Sequence, residues 1–67
     1  MKVIYIEQRD ALFCIFENVG ESGRSQIAQC VEPEQLKQCL LLAGASRKGV
    51  ADVLRQLENS ENAELRV

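Results

Sequence analysis

Cys30-Val31-Glu32-Pro33-Glu34-Gln35-Leu36 is where this chain changes its period. Pro33 suits the first position of a helix, where its missing N–H costs nothing, and Glu32 and Glu34 place acid at the positive helix end. Downstream, Leu36, Cys39, Leu40 and Ala43 fall at i, i+3, i+4 and i+7, one apolar stripe that Leu41 and Leu42 widen. Gly44 stands where a left-handed C-cap is needed, Ala45 links, and Ser46 caps a second helix. Val50, Val53, Leu54 and Leu57 repeat the helical spacing. Glu58 to Asn62 breaks it, and Ala63 to Val67 alternates as a short edge strand or a tail.

Upstream the period is two. Val3-Ile4-Tyr5-Ile6 is β-branched and aromatic, Gln8-Arg9-Asp10 is a polar break, and Ala11 to Val19 is a longer strand. Gly20-Glu21-Ser22-Gly23 is a second turn, and Ser25 to Val31 a third strand. The predicted fold is α+β: a three-stranded antiparallel meander over 1–31, a helical pair over 33–58, and a tail or edge strand over 59–67, all one small domain. The middle strand is apolar on both faces, with Leu12, Cys14 and Phe16 on one and Ala11, Phe13, Ile15 and Val19 on the other. Two short helices cover one face. The other calls for a second copy of the chain, with Phe13, Ile15 and Val19 as the expected dimer interface.

A chain of 67 residues buries only roughly 60% of its unfolded surface, which is a further reason to expect a homodimer. The composition, 46% apolar and 27% charged, is globular rather than disordered. A net charge of −2 argues against a strongly basic nucleic-acid or membrane-surface protein, yet leaves room for a local basic patch. Cys14, Cys30 and Cys39 include no CxxC pair, and with no His they cannot complete a four-ligand zinc site. They read as small buried hydrophobes. No apolar run approaches a membrane span, so the expectation is a cytoplasmic protein of a reducing compartment, without metal or cofactor.

Through Leu41-Leu42-Ala43-Gly44-Ala45-Ser46-Arg47-Lys48-Gly49-Val50, continued by Ala51-Asp52-Val53-Leu54-Arg55-Gln56-Leu57-Glu58, the stretch from Glu34 to Glu58 resembles the helix-turn-helix superfamily of DNA-binding proteins. Gly44 stands at that family's turn glycine, Ser46 and Arg47 open the second helix, and Val50 occupies the position that locks the helices together. The sequence departs from the pattern at Leu40, where a small residue is usual, at Gly49 inside the second helix, and in having strands where a further helix commonly precedes the pair. The resemblance implies a homodimeric transcriptional regulator contacting double-stranded DNA through Ser46, Arg47, Lys48, Asp52, Arg55 and Gln56. Charge points the same way independently: from Lys37 to Arg55, four cations stand against one acid, a balance of +3.

Catalysis is the class most readily set aside, because there is no His to act near neutral pH and no GxSxG, HExxH or phosphate loop. The competing reading is a phage- or plasmid-type accessory inhibitor, anti-CRISPR-like or anti-host, that blocks a larger protein complex. It would use Glu17, Glu21, Glu58, Glu61 and Glu64 and a sheet face.

Overall fold

The computed structural model describes residues 2–67. Its elements are β1 (Val3–Arg9), β2 (Leu12–Val19), β3 (Gly23–Cys30), α1 (Pro33–Leu42), α2 (Arg47–Asn59) and β4 (Asn62–Arg66). The four strands make one antiparallel sheet in the order β3-β2-β1-β4, so the α+β meander and helical pair are as expected. The alternating terminal segment is a strand, paired along β1 from Val3 opposite Arg66 to Glu7 opposite Asn62. The polar Gln8 and Arg9 belong to β1, and the turn is only Asp10 and Ala11. Asp10 takes a φ of 55°, a left-handed conformation that Asp tolerates better than most residues.

The register decides which face is core. Ile4 lies opposite Leu65, Ile6 lies between Ile15 and Ala63, Ile15 opposite Ala28, and Phe13 opposite Cys30. These residues share one side of the sheet, and Leu36 and Leu40 of α1 and Val50 and Val53 of α2 close over them. This corrects the expected dimer interface. Ile15 is fully buried and Phe13 nearly so, beneath the helices of their own chain, and neither can meet a second copy. Val19, of the same parity, lies at the strand's end and is exposed. The opposite face carries Tyr5, Leu12, Cys14 and Phe16, and it is not bare. Cys14 is only 5% exposed, and the Arg24 guanidinium sits 3.8 Å from the Tyr5 ring centre as a cation–π lid.

The junction between the helices is built as its residues dictate. Ala45 N–H donates to the Leu40 carbonyl at 3.0 Å and Gly44 N–H to that of Leu41 at 3.1 Å, the paired bonds of a Schellman motif. Ala45 and Leu40 are both buried, which supplies the motif's apolar contact. Gly44 has a φ of 106°, and a Cβ there would meet Val67 Cγ1 at 3.1 Å. Gly44→Ala is therefore expected to cost about 1–2 kcal/mol of stability, read as a lower urea midpoint with an unchanged slope. Lys2 Nζ donates to the Ala43 carbonyl at 2.9 Å, placing a cation on the negative end of α1.

Gly49 costs about 1 kcal/mol of helix propensity relative to Ala. The structure shows what it permits: a Cβ on it would lie 3.0 Å from Leu65 Cδ1 and 3.4 Å from Ser46 Oγ. Its bareness lets β4 close against the first turn of α2. Among the described residues no helix is long and apolar enough to cross a membrane.

Candidate nucleic-acid interface

The first turn of α2 is fixed by Ser46, whose Oγ accepts from the Gly49 N–H at 3.1 Å. That bond occupies the hydroxyl with capping, so Ser46 positions the helix. Arg47 and Lys48 follow at once, both exposed, and the first turn holds no acid to offset them. One face of α2 goes inward with Val50 and Val53. The other turns Lys48, Asp52 and Arg55 to solvent.

The ion pairs among the described residues are Arg9 with Glu7 at 2.9 Å and Lys37 with Glu34 at 3.3 Å. Arg47, Lys48, Arg55 and Arg66 enter neither. The i,i+4 pairing of Lys48 with Asp52 does not form; Asp52 Oδ2 instead accepts from Gln56 Nε2 at 3.1 Å. Lys48 and Arg55 line a cleft of about 380 Å³ together with Ser46, Asp52, Leu65 and Arg66. Arg66 was missed in the sequence because only the pairing of β4 with β1 brings it beside α2. Arg47 flanks the opposite side of the helix, over an apolar groove of about 280 Å³ between α1 and α2 lined by Lys37, Leu41, Val50, Ala51 and Leu54.

Gln56 has a different role from the one expected. Its Nε2 donates to the Glu64 carbonyl at 3.1 Å as well as to Asp52, and its Oε1 accepts from the Glu64 N–H at 3.0 Å. With both amide protons spent, it has no donor left for a base edge. It acts as a plug on the outer edge of β4, the kind of cover that keeps an edge strand from pairing with another chain. Gln56→Ala should cost about 1 kcal/mol and speed hydrogen exchange at the Glu64 amide, measured by NMR, without moving the salt dependence of any nucleic-acid binding.

Topology also separates charge along the molecule. At the end where β1 begins and β4 finishes lie Lys2, Arg24, Arg47, Lys48 and Arg66, with Glu17 and Glu21 as the acids. At the other end, where α1 begins and α2 finishes, lie Asp10, Glu32, Glu34, Glu58 and Glu61, with Arg9 and Lys37. An acidic chain thus keeps one end where cations outnumber acids, five against Glu17 and Glu21, while most of its acids lie at the other.

The thiols lie away from this surface. Cys30 is buried at the end of β3, and Cys39 of α1 packs against the same core. The Cys30 thiol is pushed above its ordinary value of 9.0, first by burial, then by the neighbouring Cys39 and the hydrogen bond between them, and least by Cys14. Its proton is held more tightly in the folded chain than in the unfolded one. Its contribution to stability is therefore complete below pH 9.0 and is lost as pH rises toward the folded value. Urea midpoints should fall above pH 9.0, and Cys30→Ala should lessen that fall. Among the described residues no three Cys, Asp or Glu side chains gather as metal ligands.

Compared with protein-family models, with curated proteins and with solved structures, the chain has no match.

Proposed function

We propose that this is a small non-enzymatic DNA-binding protein, a transcriptional regulator of the helix-turn-helix kind, which presents the outer face of α2 to a duplex. Arg47, Lys48, Arg55 and Arg66 meet phosphates. The observation that carries this reading is that these four cations stand without an ion-pair partner, among the described residues, on and beside α2 in a chain whose net charge is −2, Lys48, Arg55 and Arg66 in one cleft and Arg47 on the helix's other flank. Cations at a helix N-terminus are held against the macrodipole, and phosphate relieves that cost. Asp52, whose second oxygen is free, is the nearest acceptor for a cytosine amino group. α2 spans about 20 Å at 1.5 Å per residue, long enough to lie along a major groove about 12 Å wide.

The test is fluorescence anisotropy with a random-sequence duplex, titrated with salt. Four phosphate contacts predict a log–log slope of about −3.6, an affinity loss of about 150-fold between 50 and 200 mM salt. A flat or absent response removes the DNA reading and leaves the protein-blocking one to be pursued by affinity capture.

A further inference from the structure

The two edges of the sheet are treated differently. The outer edge of β4 is plugged at Glu64 by the Gln56 amide. The outer edge of β3 receives no hydrogen bond from any side chain or loop among the described residues, so its main-chain groups on that side face water. Two exposed large hydrophobics lie along that open edge. Ile27 is 43% exposed, at the irregularity where Ala28 pairs with Ile15 but Gln26 with Phe16; Val31 follows the strand at 59%. Long edges with apolar flanks are templates for strand pairing, and native chains usually blunt them with charge. From Ser25 to Val31 there is no charged residue.

We propose that β3 is a dimerisation edge, pairing antiparallel with β3 of a second copy to make one continuous sheet. The contact is self-complementary. The strand's lone charge is Arg24, and a two-fold centred between Gln26 and Ala28 sets it away from its own copy while bringing the Ile27 residues together. The edge of eight residues, about 27 Å at 3.4 Å per residue, matches the molecule's longest dimension of 28 Å. A second copy suits this edge because the strand is its own complement: each Ile27 meets its symmetry mate, while each Arg24 lies opposite the neutral Cys30. This interface does not rest on the DNA reading.

Sedimentation equilibrium of the native protein tests it. The expected mass is twice the 7.5 kDa of the chain, falling toward 7.5 kDa on dilution. The variant Ile27→Lys, which sets like charges face to face across the two-fold, should sediment at the single-chain mass with an unchanged circular dichroism spectrum, since the side chain is exposed. Hydrogen exchange of the unmodified protein gives a readout free of mutation: β3 amides that exchange fast when dilute should become protected on concentration. A single-chain mass at every concentration, or a dimer that survives the substitution, or concentration-independent β3 exchange, overturns the proposal.

Discussion

Replacing Arg47, Lys48, Arg55 and Arg66 together by Gln should lower duplex-DNA affinity about 1,000-fold near 150 mM salt and flatten the salt response, with folding untouched. The magnitude follows from counterion release, at about 0.9 log unit of slope for each phosphate neutralised. All four side chains are exposed, and no ion pair among the described residues would be broken. Arg66→Gln alone is the sharpest arm. It lies on β4, outside the segment that resembles the helix-turn-helix superfamily, yet it lines the same cleft as Lys48 and Arg55. A slope reduced by about 1 would make the strand end part of the binding surface; no change would confine binding to α2. Arg9→Gln is the control, a cation already paired with Glu7 at the acidic end. If it weakens binding as much as the single substitutions at Lys48 or Arg55, attraction is diffuse and the assigned surface is wrong.

Dimerisation through β3 would alter the number and not the logic. With strands about 4.8 Å apart, two sheets joined at β3 place their α2 helices about 30 Å apart, on the same side and related by a two-fold. That is near the 34–36 Å of one duplex turn, the spacing at which paired helices reach successive major grooves. Eight contacts would steepen the slope to about −7. Binding and sedimentation therefore inform each other: a slope near −3.6 from a protein that sediments as a dimer would mean that only one half engages.

What could be read from the chain was whatever local chemistry fixes. Pro33 starts α1, Gly44 ends it because φ must be positive there, and Ser46 starts α2 because its hydroxyl fits a free N–H; each works within a few residues. What failed depended on partners distant in sequence. Phe13 and Ile15 were assigned to a dimer interface because period two cannot choose between two apolar faces of one strand. The choice is made by α1 and α2, which close over one side, and by small polar-flanked groupings such as Arg24 on Tyr5, which cover the other. Gln56 was read as a base contact because only the return of β4 reveals Glu64 as its partner. Gly49 was read as a flaw for the same reason: Leu65, which needs the space, lies sixteen residues on.

Ile15→Ala should cost about 2–5 kcal/mol, and its effect separates core from interface. A 67-residue domain has roughly 3–10 kcal/mol in total, at about 0.05–0.15 per residue, so this one truncation can remove most of it. Ile15 is fully buried between Ile6 and Ala28 on the central strand, and in a sheet of four strands under two short helices little can relax into the space it leaves. Its neighbour Phe16 loses more volume as Ala but is only half-buried on the opposite face, so Phe16→Ala should cost less. Urea denaturation followed by circular dichroism orders the two. If Ile15→Ala instead left the midpoint in place and only halved the sedimenting mass, the face beneath the helices would be an intermolecular contact after all, and the packing of α1 and α2 described above would be wrong.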